Sequence, residues 1–277
     1  MTSPGHAGRI LPVDAHGQWE TGRGDGADDG VDPLTPHVLV VVAGVAFLAA
    51  FVQGVAGFGS ALVAMPLLSL VLEVRDAAAL VALLSLAINA ALLLPVRREL
   101  PWRRVAPLLA GSLAGIPAGV LLLAGADPRL ARGLLGAALV ATSAALLRER
   151  RPKIGEGRGA ALAAGALAGL LGGAFNMNGP VVTLYAAARG WEKRETHAAL
   201  QLYFLASGLA IAALHGAVGI TRGPVLLASA AALPFLAAGS LAGWSVHLRV
   251  GEGRYRVLLR ASLLAAGAAL LAAAARG

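Results

Sequence analysis

The chain has no cysteine, which excludes disulfides, thiolate metal sites and iron–sulfur clusters. Charge is scarce as well. Only 14% of the 277 residues are Asp, Glu, Lys or Arg, against about 25% in a soluble domain. That is too little to coat a globule of this size. Aromatic residues make up 5%, and lysine occurs only at Lys153 and Lys193. No Walker motif is present, nor the serine elbow of a hydrolase, nor the paired-histidine helix of a metalloprotease. No His/Asp cluster suggests a metal permease. These absences exclude a cytosolic enzyme, a disordered chain and a disulfide-stapled secreted domain. They lead us to expect no catalysis, no cofactor and no metal.

What fills the chain is apolar sequence: 57% hydrophobic residues and a mean hydropathy of +0.73. Charge-free stretches run 38–72, 77–96, 105–126, 133–147, 159–188, 198–221, 223–248 and 261–275. About 20 residues of helix cross the ~30 Å hydrocarbon core of a bilayer. The sequence therefore predicts an all-α, polytopic integral membrane protein with eight hydrophobic segments. Lipid is its main partner. No acid lies inside any of these stretches, which argues against a carboxylate proton relay or a cation cage at membrane depth.

Residues 1–36 differ from the rest. They are rich in Gly and Asp and carry six acids (Asp14, Glu20, Asp25, Asp28, Asp29, Asp32) against Arg9 and Arg23. With no apolar period, they read as a disordered acidic tail. The other 21 bases and 9 acids follow residue 36. Those bases sit between the apolar runs and form no basic face interleaved with aromatics. The net charge of +8 is thus read as topological, with no nucleic-acid partner.

The loops give the orientation. Basic loops occur at 97–104, 148–158, 189–197 and 247–256, and base-poor ones at 73–76, 125–132 and 217–222. Placing the basic loops inside makes 77–96, 105–126 and 133–147 single spans. It also returns 159–188 to the side on which it started. Both 159–188 and 38–72 are long, and Gly and Pro interrupt each of them. We read each as a helical hairpin bent at its glycines. An eight-span count, with every stretch crossing once, ranks second because it leaves the 247–256 arginines outside.

The two long stretches also begin an internal repeat. Gly54 and Gly57 match Gly169 and Gly172. Gly115, Gly119, Arg132, Leu134 and Leu135 match Gly239, Gly243, Arg256, Leu258 and Leu259 at one offset of 124. We therefore divide the chain into a tail, 1–36, a first membrane repeat, 37–148, a basic cytoplasmic linker, 149–158, and a second repeat, 159–277. Each repeat holds one Gly/Pro-broken hairpin and three spanning helices, and the two are inverted. Inverted repeats with broken helices are a recurring plan of secondary transporters. Helix starts at the two bends would present backbone N–H groups and a positive dipole end to an anion.

The candidate substrate-binding residues flank those bends: Gln53, Gly54, Gly57, Gly59 and Ser60 in the first, and Gly172, Gly173, Asn176, Asn178, Gly179 and Pro180 in the second. Asn89, Tyr185 and Gln201 are candidates to line the path. For the bend glycines a functional role is preferred over packing. Packing is preferred for Gly111, Gly115, Gly119, Gly239 and Gly243. Asn176 and Asn178 either donate to a substrate oxygen or cap a broken helix.

Gln53-Gly54-Val55-Ala56-Gly57-Phe58-Gly59-Ser60, followed by Met65-Pro66, resembles the first-half signature of the TauE/SafE family of sulfite-exporter-like permeases. Gly169, Gly172 and Gly173, followed by Asn178-Gly179-Pro180 and Tyr185, resemble its second-half signature. The resemblance covers roughly residues 38–275. It implies a multi-pass inner-membrane permease for sulfite, an organosulfonate or a related small anion. Residues 174–178 depart from the more Gly-rich run of many relatives, at the site itself. The alternatives are an anion channel, or a membrane enzyme or scaffold that transports nothing. Oligomeric state is open, a homo-oligomer included.

Two outcomes follow. A cysteine introduced at Lys153 should resist an impermeant thiol reagent applied outside intact cells, and labelling there would contradict the orientation. Deleting residues 1–36 should leave membrane insertion intact, because that segment has no apolar face to bury. Loss of the protein from the membrane fraction would contradict this.

Overall fold

A computed structural model describes residues 32–56, 58–94, 97, 100–147 and 157–247. Among them the chain is helical, without strands. A backbone in hydrocarbon has no water to bond, so each apolar run closes its hydrogen bonds internally as a helix. The elements are α1 (Pro36–Ala56), α2 (Ser60–Leu68), α3 (Val74–Leu93), α4 (Trp102–Gly125), α5 (Pro128–Leu147), α6 (Arg158–Phe175), α7 (Gly179–Ala188), α8 (Lys193–Ala217) and α9 (Gly223–His247). Six of the described helices, α1, α3, α4, α6, α8 and α9, are long and apolar enough to cross a membrane. Leucines and other large apolar side chains stand exposed on their outer faces, Val40, Leu121, Leu227 and Leu241 among them. In water such a surface would aggregate; in lipid it is solvated. The protein is thus a multi-pass membrane protein. The eighth predicted segment and most of the 149–158 linker lie outside the described residues.

The two long stretches do break, and each gives unequal arms. Stretch 38–72 becomes α1, of 21 residues, and α2, of 9. Stretch 159–188 becomes α6, of 18 residues, and α7, of 10. At 1.5 Å per residue α2 and α7 are ~14–15 Å long, about half the hydrocarbon thickness. The second break also falls later than the glycines suggested. α6 runs unbroken through Gly169, Gly172 and Gly173 and ends at Phe175.

The reason is packing. α4 crosses α6, and α1 crosses α9, along small residues. A Cβ added to Gly115 would collide with the Ala166 carbonyl, one on Gly119 with that of Leu170, and one on Gly169 with that of Ser112. Across the other crossing, Gly239 lies against the Phe47 carbonyl and Gly243 against that of Phe51. A Cβ on Gly54 would come within 3.1 Å of the Gly243 Cα. Gly54 and Gly169 therefore serve helix crossings. In lipid, where the hydrophobic effect draws no helices together, such backbone approach is a main source of association.

Polar bonds join the same helices. The Ser112 and Tyr203 hydroxyls lie 2.7 Å apart, tying α4 to α8. Arg75 donates to the carbonyls of Leu123, at 3.2 Å, and Ala126, at 2.6 Å, fastening the start of α3 to the end of α4. His215 Nε2 lies 2.9 Å from the Gly173 carbonyl, which links α8 to α6.

The tightness of the α4–α6 crossing reverses a simple expectation. A methyl at a packing glycine would ordinarily be mild, yet Gly115→Ala puts it into a backbone carbonyl that cannot swing away. We expect a loss of about 1–3 kcal/mol or more, as for other overpacked cores. Gly44→Ala, in an exposed position on α1 with nothing within 4 Å, should be neutral or stabilising by up to about 1 kcal/mol through helix propensity. Thermal unfolding of the two variants in detergent checks the contrast.

Candidate functional site

The two breaks need residues that tolerate a left-handed backbone. Gly59, just before α2, has φ 105°, which a side chain would strain. The second break uses Asn176 at φ 56° and ψ 21°, since Asn is the residue other than Gly that most readily adopts this conformation. Pro180 in the first turn of α7 then fixes the helical φ where its missing N–H is no loss.

Both breaks open onto one cavity. It is walled by Gln53 from α1, Gly59, Ser60, Ala61 and Leu62 at the start of α2, and Ala82, Ser85 and Asn89 from α3. Asn176, Asn178, Gly179 and Pro180 close it around the start of α7, with Phe204, Gly208 and Ile211 from α8. Its empty volume is about 490 Å³, counting space open to solvent. Among the described residues of its wall there is no Lys, Arg, His, Asp or Glu.

Its electrostatics come from backbone. The first N–H groups of a helix have no partner within it. Neither Gly59 nor Asn178 supplies a side-chain cap, so the starts of α2 and α7 both present uncapped N–H groups here. Each start carries roughly half a positive charge. Ser60 is 5% exposed, and its hydroxyl bonds to no described residue. The arrangement can accept an anion with no formal cation among the described residues of the wall.

Side-chain bonds hold the breaks in position. Gln53 Nε2 donates to Asn89 Oδ1 at 2.7 Å, pinning the end of α1 to α3. Asn176 Nδ2 donates to the Ala78 carbonyl at 2.8 Å, pinning the second break to α3 also. Asn89 and Ala78 are 11 residues apart, ~16 Å along the helix. Gln53 and Asn176 thus grip α3 on either side of its middle, and the cavity lies between the two grips. Asn178 Nδ2 reaches Ser207 Oγ at 3.2 Å, and Ser207 donates to the Tyr203 carbonyl at 2.8 Å.

The structure brings together Gln53, Gly59, Ser60, Asn89, Asn176, Asn178, Gly179 and Pro180. It places others elsewhere. Gly54 faces α9. Gly172 stands behind Asn178, whose Cβ lies 3.2 Å from where a Gly172 Cβ would be, and Gly173 packs on the Ile116 carbonyl. Tyr185 stacks edge-on against Trp191 at 5.9 Å, anchoring the end of α7. Gln201 is wholly buried and is not in the wall. Gly57 lies outside the described residues. Ser85, Phe204, Gly208 and Ile211 were not anticipated, although two signals were readable. Ser85 precedes Asn89 by one helical turn in an otherwise apolar run, and residues 204, 208 and 211 share a helical stripe.

A family model described as sulfite exporter TauE/SafE matches residues 42–270. No match was found among curated proteins or among solved structures. The matched region takes in both broken helices and every residue of the cavity wall, so the chain belongs to the TauE/SafE sulfite exporter family, and is by membership a membrane transporter.

Proposed function

We propose that the protein exports a small anion across the inner (cell) membrane by alternating access. Sulfite, an organosulfonate or a related sulfur oxyanion is the substrate class that the family suggests. The observation that carries the reading is the convergence of two uncapped helix starts on one cavity whose wall, among the described residues, holds neutral amides and hydroxyls and no charged side chain. An anion that is to be released must not be held by a buried full charge, and half-charges from helix ends suit that need. With the cell interior negative, export of a monoanion gains roughly 2.3 kcal/mol per 100 mV without a coupling ion.

Alternating access needs two halves that rock about the site. We assign them to 37–148 and 159–277, as inverted repeats. The packing supports this. Exchanging α1–α4 for α6–α9 turns the α4–α6 contact into α9–α1, α4–α8 into α9–α3, α2–α3 into α7–α8, and α3–α8 into itself, and all of these contacts are present. An anion entering the cavity would meet the α2 start from one half and the α7 start from the other.

A carboxylate built into the site tests the reading. Ser60→Asp puts a negative charge at the start of α2, where the helix end favours it by about 0.3–1 kcal/mol or more when partly buried. We expect thermal stability in detergent to be kept or raised, while sulfite flux into proteoliposomes falls at least tenfold. Ser60→Asn, neutral and of similar size, should retain flux. A strongly destabilised Ser60→Asp protein, as for an unpaired charge in an apolar wall, would contradict an anion site. A parallel flux screen of sulfite, sulfate, thiosulfate, sulfoacetate and chloride identifies the substrate.

A further inference from the structure

Two ion pairs among the described residues are counterparts of one another. Asp76 is the third residue of α3, and its Oδ2 accepts from Arg222 Nη2 at 2.7 Å. Arg222 immediately precedes α9. Glu195 is the third residue of α8, and its Oε2 accepts from Arg104 Nη1 at 2.7 Å. Arg104 is the third residue of α4. Under the exchange of halves α3 becomes α8 and α9 becomes α4. The acid at the start of the helix that follows a broken helix therefore pairs, in both cases, with the arginine at the start of the other half's next helix.

Their positions are opposite. α3 leads from Asp76 to the loop before α4, so Asp76 and Arg104 stand at opposite ends of a span. α8 likewise separates Glu195 from Arg222. With the basic loops inside, Asp76–Arg222 closes the outer face and Arg104–Glu195 the cytoplasmic face. Each pair links residues 37–148 to residues 159–277, so neither face can part without breaking its own pair.

We propose that these pairs are reciprocal gate latches: Asp76–Arg222 holds the outer face closed, Arg104–Glu195 holds the inner face closed, and each cycle breaks one while the other stays formed. The inference rests on the alternating-access reading. It adds the four positioning residues that set which face opens. The pairs are unequal. In the outer pair Asp76 is 3% and Arg222 44% exposed, and in the inner pair Glu195 is 26% and Arg104 55% exposed, so the difference lies mainly in the acid. Water and salt weaken the pair with the more exposed acid more. Both pairs are formed here, so this is the state closed at both faces; the inner latch is the easier to open, which favours loading from the cytoplasm.

The chain's lack of cysteine makes the test direct. Double variants Asp76→Cys/Arg222→Cys and Arg104→Cys/Glu195→Cys are bridged by a bifunctional methanethiosulfonate about as long as the ion pair it replaces. Azidohomoalanine in place of Ser85 puts a reporter azide, inert to thiol reagents, in the cavity wall, and its reaction with an impermeant strained alkyne reads access to the cavity. That alkyne is applied to right-side-out and to inside-out vesicles after bridging. We expect bridging of the outer pair to leave the reporter reactive only from the cytoplasmic side, and bridging of the inner pair only from outside. Either bridge should cut sulfite flux at least tenfold, with recovery on reduction. Reporter labelling that is the same from both sides whichever pair is bridged would overturn the latches. So would undiminished flux with a pair fully bridged. Should a double cysteine variant fail to reach the membrane, the charge exchange Asp76→Arg/Arg222→Asp replaces it. Raised outer access to the reporter in Asp76→Arg alone, reversed in the exchange, supports the latch, and unchanged access refutes it. If the unbridged protein carries no tested anion, the transport reading fails. The labelling pattern still decides whether the faces open in turn.

Discussion

In hydrocarbon a backbone N–H has no water to bond, and this constraint governs the rest of the structure. It forces the apolar runs into helices and makes any interrupted helix costly. Two interruptions are nevertheless present, after Ala56 and after Phe175, and both open onto the same cavity. The helix starts that follow them are where the membrane domain keeps unspent hydrogen-bond donors. The surroundings are built to hold these starts in place. Gln53 and Asn176 pin the ends of α1 and α6 to α3, and glycine crossings press α1 on α9 and α6 on α4.

Rigid crossings and weakly held faces divide the work. The glycine contacts are backbone to backbone and cannot slide without collision, so the helices of each crossing can pivot on one another but cannot slip along one another. α6 crosses α4 and α1 crosses α9, and each crossing therefore joins the proposed halves directly. Movement between halves then has to be rotation about these crossings, with the largest displacement at the two membrane faces. The ion pairs stand at those faces, which is where a small rotation has the most leverage.

Much of this was readable in the sequence. Eight charge-free stretches announced a helical membrane protein, and two overlong ones with central Gly and Pro announced the broken helices. The polar residues placed in apolar runs, Gln53, Ser60, Asn89, Asn176 and Asn178, marked the cavity wall because burying a polar side chain in lipid needs a reason. The glycines misled. Gly in a helix has two uses, close approach and a left-handed turn, and one sequence cannot separate them. Gly54, Gly169 and Gly173 turned out to serve approach, while the second left-handed turn fell to Asn176. Ser85 was overlooked because a lone serine in a helix usually bonds its own backbone. The pairing of Arg75 and Asp76 was missed for another reason. Adjacent in sequence, they point to different partners, and nothing local tells that Asp76 meets Arg222, 146 residues away.

The central claim is that backbone donors at the starts of α2 and α7 receive the anion. The most direct measurement is a structure of the protein with bound sulfite, or with selenite for its anomalous signal. The account predicts density between Ser60 and Gly179, within hydrogen-bond distance of main-chain N–H groups from both helix starts. Density held instead by the arginines of the loops, or at a point remote from both breaks, would contradict it.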